Sequence, residues 1–202
     1  MAEVTASETR DAILAGAFAC FRTYGLRKTT IVDIARKSGV SRSTIYEYFK
    51  DKAAIVEACA EAASQRFYRN MAKVVNRGET TEDKLVLACV FVTQARQVVE
   101  GEKYFDEEEV NVLLTRDSAV LLKECADFIA PILSAGRVTG EVRKDVDIAL
   151  ASEWIARILF SLFSTGSPTI DMSDDDAVAA FARSFIVRGL ADDRSARVRR
   201  TD

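Results

Sequence analysis

Ile55, Val56, Cys59, Ala62, Ala63, Phe67, Met71 and Val74 fall three or four positions apart, with two adjacent pairs among them. That spacing keeps them on one face of a helix of 3.6 residues per turn, whereas a half-buried strand needs alternation at every second residue. No glycine or proline interrupts residues 52–75, so the run predicts one continuous helix closed by Asn76-Arg77-Gly78. So long and one-sided a helix has to bury its apolar face against other elements.

Those other elements carry the same period. Ile13, Leu14, Ala17, Phe18 and Phe21 form a first helical face that ends at Gly25. Thr30 can cap a short second helix with Ile31, Ile34 and Ala35, which stops at Ser38-Gly39. Ser41 can cap a third, with Ile45 and Phe49 on its inner face. After the long helix, the pattern predicts helices near 81–100 (Leu85, Cys89, Val92, Val99) and near 104–115, the latter beginning at the acidic run Asp106 to Glu109. Another is expected near 117–135, with Pro131 as a kink, and Gly136 and Gly140 bracket a turn. The segment 146–165 is strongly apolar and ends at Gly166-Ser167-Pro168; a last helix starts at Ser173 and three aspartates, whose charge suits its N-terminus. Two prolines and nine glycines leave little room for a turn-rich β fold. The expected fold is all-α, with about nine helices.

The net charge is −3, which argues against a uniformly basic nucleic-acid binder. The charge is uneven, however. From Arg22 to Lys52, eight basic residues (Arg22, Arg27, Lys28, Arg36, Lys37, Arg42, Lys50, Lys52) face three acids (Asp33, Glu47, Asp51). That segment is +5 and the remainder −8. A basic patch on an acidic protein is the footprint of local phosphate contact.

Cys20, Cys59, Cys89 and Cys125 are 30 to 39 residues apart, and the chain has no histidine. No pair has metal-ligand spacing, so no metal is expected. Each cysteine lies among apolar residues at helical spacing and reads as a small core residue in a reduced compartment; oxidation of a thiol as a signal is the alternative. There is no signal peptide and no apolar run of membrane-spanning length, so a soluble, cytoplasmic protein without membrane partner is expected. With no nucleophile motif and no glycine-rich phosphate loop, no catalytic residue and no cofactor are expected, and the chain is not read as an enzyme.

The stretch GVSRSTIYEYFKDK, Gly39 to Lys52, carries the functional signal. On a helical wheel of about 100° per residue, Ile45 and Phe49 share the inner side, Ser43 and Glu47 lie opposite, and Thr44 and Tyr46 flank them. Arg42 sits in the first turn. A short helix, a tight glycine turn and a second helix with a polar outer face make a helix-turn-helix, whose second helix enters the DNA major groove. A solvated surface helix has the same wheel, so the wheel alone leaves both readings open.

The wider stretch from Phe21 to Ile55 resembles the DNA-binding domain of the tetracycline-repressor (TetR-like) family of bacterial transcription regulators. The matching features are an aromatic and then a glycine closing the first helix, Thr29-Thr30 opening the second, and Ile34-Ala35 within it. Gly39-Val40-Ser41 follows at the turn, then Ile45-Tyr46 and Phe49, then Lys52. The match falls within roughly the first quarter of the chain. The resemblance implies a helix-turn-helix DNA-binding domain at residues 1–51, with the motif at about 30–49, and a larger helical effector-binding and dimerisation domain at 52–191. Residues 192–202 form an Arg-rich tail read as disordered.

Carried over residue by residue, the resemblance places Thr29, Thr30, Ser41, Arg42, Ser43, Thr44, Tyr46, Glu47, Tyr48 and Lys52 at the DNA. Thr30 and Ser41 cap helices near phosphates. Arg42, Ser43 and Thr44 meet base edges or phosphates, and Tyr46 and Tyr48 reach the backbone or a thymine methyl. Lys52 holds a phosphate at a helix N-terminus. Ser43 departs from the family's frequent glycine. Glu47 departs from its frequent aromatic or basic residue; it can accept from a cytosine amino group, or pair with Arg42 or Lys50 and orient them, and pairing is the favoured role.

The family binds a pseudo-palindromic operator as a homodimer. The expected dimer surface is Ile155, Leu159, Phe163, Phe181 and Phe185, on the helices near 146–165 and 175–189; burial of the first helix within the monomer is the alternative. Effector-pocket candidates are Phe67, Met71, Phe91, Tyr104, Phe105, Phe128, Trp154 and Phe160, each of which can equally be core. An aromatic-bearing helical bundle suits an apolar or amphipathic small molecule. The expected function is therefore a ligand-responsive transcription regulator, a repressor released by such an effector. The alternatives are a structural DNA-binding protein without effector and a regulator that responds to thiol oxidation.

Overall fold

The computed structural model describes residues 6–102 and 118–191. The helix expected near 104–115, with Tyr104 and Phe105, and the tail at 192–202 lie outside the described residues. All regular elements among the described residues are helical: α1 (Ala6–Tyr24), α2 (Ile31–Ser38), α3 (Arg42–Tyr48), α4 (Lys52–Val75), α5 (Thr81–Glu102), α6 (Ser118–Thr139), α7 (Ile148–Ser164) and α8 (Asp175–Phe181), which runs on as a π-helical stretch, Ala182–Val187. The chain divides into two compact units, parted within α4 between Phe67 and Tyr68.

In the first unit, α2 opens with a reciprocal capping box. Thr30 accepts from the Asp33 amide at 3.2 Å, and the Asp33 carboxylate accepts from the Thr30 amide at 3.1 Å and from its hydroxyl at 2.6 Å. These bonds hold the Asp33 carboxyl below the usual carboxylate range, the Thr30 hydroxyl contributing most. The helix ends at Gly39, which adopts φ +74° and donates its amide to Ala35. A side chain is strained in that left-handed conformation. Ser41 then caps α3 by accepting from the Thr44 amide at 3.0 Å. α1 and α2 touch closely because Gly16 has no side chain where Ser38 passes. The core they share with α3 and the start of α4 includes Ile13, Ala17, Phe21, Ile34, Ile45, Phe49 and Ile55. Each such aliphatic or aromatic side chain contributes about 1.5–3 kcal/mol when fully buried.

In the second unit, Thr80 and Asp83 repeat the capping box at the start of α5. Glu141, sixty residues on, accepts the Thr81 amide at 2.6 Å. The turn expected between Gly136 and Gly140 is corrected: α6 continues through Gly136 and ends at Thr139, with Gly140 at φ +83°. Gly136 is a contact residue instead. A side chain there would collide with the Thr81 hydroxyl and with Val142. The last helix is capped by Asp174 rather than Ser173, whose hydroxyl donates to Asp171 at 2.6 Å. Met71, Leu85, Cys89, Ile129, Leu133, Ile155, Leu159 and Ile186 are buried in this unit.

Candidate nucleic-acid interface

The sequence of α3 sorts its side chains onto two faces. Ile45 is fully buried and Phe49, the residue that closes the helix, is 6% exposed, both in the first unit's core. Arg42, Ser43, Tyr46 and Glu47 are exposed. Anchoring two side chains of so short a helix fixes its outer face, which is what a positioned reading surface requires. Arg10 adds a further tie, its guanidinium lying 5.6 Å from the centre of the Phe49 ring.

Three hydroxyls cluster at the start of that helix. Ser41 Oγ lies 2.7 Å from Ser43 Oγ and 2.9 Å from Thr44 Oγ1. The extra hydroxyl at Ser43 is thus already tied to the cap rather than free-standing. Tyr46 is half exposed, while Tyr48 packs its ring against the core. The favoured pairing of Glu47 is not found: among the described residues no ion pair joins it to Arg42 or Lys50, and its carboxylate stands exposed. Arg42 lies five positions before Glu47, about 140° away round the helix, and a carboxylate this exposed gains little from a lysine partner.

Thr29 is a second correction. It is 1% exposed, and its hydroxyl donates to the Gly25 carbonyl at 2.8 Å. It closes the turn after α1 and does not reach outward. Thr30, its neighbour, remains exposed at the cap of α2. A feature that sequence reasoning missed is the bond from Lys52 Nζ to the Arg27 carbonyl at 3.2 Å. Twenty-five residues separate the two, so no local pattern announces it.

In the second unit, the expected effector and dimer residues part company. Met71 is fully buried, Phe91, Phe128 and Phe160 are half-buried, and Trp154 is 42% exposed, while half-buried Phe67 closes the first unit. Tyr68 was not among the candidates, yet it stacks on Phe128 with centroids 5.7 Å apart. Burial pushes its phenol well above the usual range, and the nearby Cys125 and Glu124 add to that. Ile155 and Leu159 are 1% and 2% exposed and belong to the chain's own core, so they are removed from the dimer surface. The helical period gave them an apolar face without saying which partner it met. On α7 and beyond α8 the outward apolar residues are Leu150, Trp154 and Phe185, the last 67% exposed. Phe185 stacks on half-buried Phe181 at 5.4 Å, and Phe163 is half-buried.

Among the described residues, no helix is long and apolar enough to cross a membrane, and no group of three or more His, Cys, Asp or Glu residues could hold a metal ion.

The sequence profile described as bacterial regulatory proteins, tetR family, matches residues 13–59, the span from the core of α1 into α4. The HTH-type transcriptional regulator TtgR of Pseudomonas putida is 40% identical over 160 residues, covering 73% of this chain and 74% of that protein. The HTH-type transcriptional repressor KstR2 of Rhodococcus jostii is 25% identical over 195 residues, 92% of each chain. The solved transcriptional regulator FadR of Bacillus subtilis, in complex with stearoyl-CoA, shares the fold at a TM-score of 0.60 and 21% identity, over 86% of this chain and 97% of its own. With a helix-turn-helix built on a shared core and an exposed polar α3, the chain belongs to the tetR family of bacterial regulatory proteins and is a DNA-binding transcription regulator, not an enzyme.

Proposed function

We propose that the protein is a repressor that binds a pseudo-palindromic operator as a homodimer and is released by an apolar or amphipathic effector. Residues 1–51 form the DNA-binding domain and 52–191 the effector and dimer domain. The observation that carries the DNA reading is α3: Ile45 and Phe49 are buried, while Arg42, Ser43, Tyr46 and Glu47 face outward. Arg42, Ser43, Thr44 and Tyr46 meet base edges or phosphates, Tyr48 and Lys52 meet the backbone, and exposed Glu47 accepts from a cytosine amino group. Thr30 and Ser41 cap their helices beside phosphates.

The effector class follows from the aromatic side chains that the second unit offers, Phe91, Phe128 and Phe160, with Tyr68 added as a polar handle. Relatives support it, since one regulator holds stearoyl-CoA and another is the ketosteroid transcriptional regulator KstR2 of Mycobacterium tuberculosis. A long-chain acyl or steroid-like compound is the first class to test. Binding favours a conformation whose two reading helices no longer match the half-site spacing, so effector and operator weaken each other by the same factor. Leu150, Trp154, Phe181 and Phe185 supply the apolar dimer surface. The site of action is the cytoplasm. Selection from a randomised duplex pool tests the DNA reading: a recovered palindrome supports it, and failure to enrich any sequence overturns it. Thermal shift with acyl and steroid compounds tests the effector, a rise in melting temperature with release of operator being the expected result.

A further inference from the structure

The first unit contains a groove that the reading helix does not use. It lies between the last turn of α1, the turn that follows, and α2. Its volume is about 370 Å3 and its walls are Thr23, Tyr24, Lys28, Asp33 and Arg36. A narrower continuation adds Lys37 and reaches Cys20.

The charges in the groove do not balance. Lys28, Arg36 and Lys37 meet a single acid, Asp33, and that acid is already committed. One of its oxygens accepts twice from Thr30, and the other accepts from Arg36 at 2.8 Å. Arg36 is still 70% exposed at its side chain, and a guanidinium has further N–H groups to offer. Lys28 is exposed with no acidic partner among the described residues, and Tyr24 is 46% exposed with an uncommitted phenol. The Thr23 hydroxyl, by contrast, already donates to Ala19. The free donors therefore converge on the Tyr24, Lys28 and Arg36 walls.

Position selects the occupant. In a helix-turn-helix the first helix of the motif crosses the DNA backbone while the second enters the groove. α2 is that first helix, and this groove runs along its flank. The turn carrying Lys28 is also the turn whose Arg27 carbonyl holds Lys52, so the groove continues the basic edge at the start of α4. An open, shallow, net-positive channel fits a phosphodiester chain passing along it better than a small anion, which needs enclosure.

We propose that this groove seats the sugar–phosphate backbone of the operator beside the bases read by α3, with Lys28 and Arg36 contacting phosphate oxygens and Tyr24 donating a hydrogen bond. The assignment rests on α3 being the reading helix. It makes these residues backbone-positioning groups that carry no base information.

The test uses full-length protein and the operator recovered by selection. Binding isotherms on operator and on scrambled duplex, at several salt concentrations, compare wild type with Lys28→Ala/Arg36→Gln. The expected result is a salt slope lower by about 0.9 for each phosphate no longer neutralised at each half-site. Affinity falls on both duplexes alike and their ratio holds. Lys28→Ala alone, on an exposed turn, gives a part of that drop even if the Arg36 substitution loosens α2, and Lys28→Arg retains the wild-type slope. A wild-type slope in Lys28→Ala and in the natively folded double variant overturns the proposal. So does a changed operator-to-scrambled ratio, which would mean that these residues touch bases. Replacing chloride by inorganic phosphate at constant ionic strength separates the remaining source: competition that disappears in Lys28→Ala with no change in salt slope assigns the groove to a small anion and overturns it too. Thr44→Ala and Tyr46→Ala run in parallel. If they lose operator selectivity while the groove variants change nothing, only the groove fails; if they lose none, the reading helix itself is wrong.

Discussion

The ammonium of Lys52 donates to the carbonyl oxygen of Arg27 at 3.2 Å, joining the first residue of α4 to the turn after α1. One of its three N–H groups is used in this way, leaving two for a phosphate. The bond also fixes where the charge stands, at the N-terminus of a 24-residue helix whose dipole favours an anion.

Lys52→Ala should therefore weaken binding to operator and to scrambled duplex alike. The salt slope should fall by roughly 0.9 per half-site. Isotherms over a range of salt concentrations measure it. A variant that loses selectivity but keeps the slope would show that Lys52 acts by orienting the reading helix instead.

Thr44 and Tyr46 make the opposite prediction. Their replacement by alanine should cost about 1–3 kcal/mol on the operator and far less on scrambled DNA. Unchanged selectivity in both variants means that the polar face of α3 is only a solvated surface.

The dimer reading separates two kinds of apolar residue. Leu159 is 2% exposed within the chain, so Leu159→Ala should lower stability by about 2–5 kcal/mol and leave the dimer intact. Phe185 is 67% exposed. Phe185→Glu should dissociate the dimer, since the new charge would be buried without a partner, and operator affinity should drop with it. Sedimentation and thermal unfolding distinguish the outcomes. A Phe185→Glu protein that remains dimeric removes that residue from the contact.

The thiols supply a pH prediction. All four cysteines are buried. Burial pushes the thiols of Cys59 and Cys89 up to about 12 and that of Cys125 up to about 11, from an ordinary value of 9.0. Burial also raises Cys20, helped by Asp33. Below pH 9 both the folded and the unfolded thiols keep their protons, and stability is unaffected. Above it the unfolded chain ionises first, so stability is lost as pH rises from about 9 towards 12. At pH 8 the native protein should resist thiol reagents and peroxide, reacting only at its rate of unfolding. Rapid oxidation of the native dimer with release of operator would establish thiol-oxidation control in place of a small-molecule effector.

Much of the fold was legible because helix formation here is local. Thr30 before Ile31, and Ser41 before Ile45, are signals complete within four residues, and α2 and α3 begin where those signals say. The outer face of α3 was legible for the same reason, since burying Ile45 leaves Tyr46 and Glu47 only one way to point. Gly136 was not legible: a glycine near a helix end reads as a stop, and only the passage of Thr81 beside it makes it a contact instead.

What the sequence by itself determined, then, is the helical period, the caps, the basic segment and the polar face of the reading helix, all set by interactions that span a turn or two. Tertiary structure alone decided which apolar faces met their own chain and which stayed outside. Ile155 and Phe185 are alike in period and hydrophobicity, yet one is buried and the other exposed. It also decided that Thr29 is buried and that Lys52 reaches Arg27. The Lys52 bond needs residues twenty-five apart in the chain to come within a few ångströms, and hydrophobic burial, being non-directional, does not specify its partner until the helices have packed.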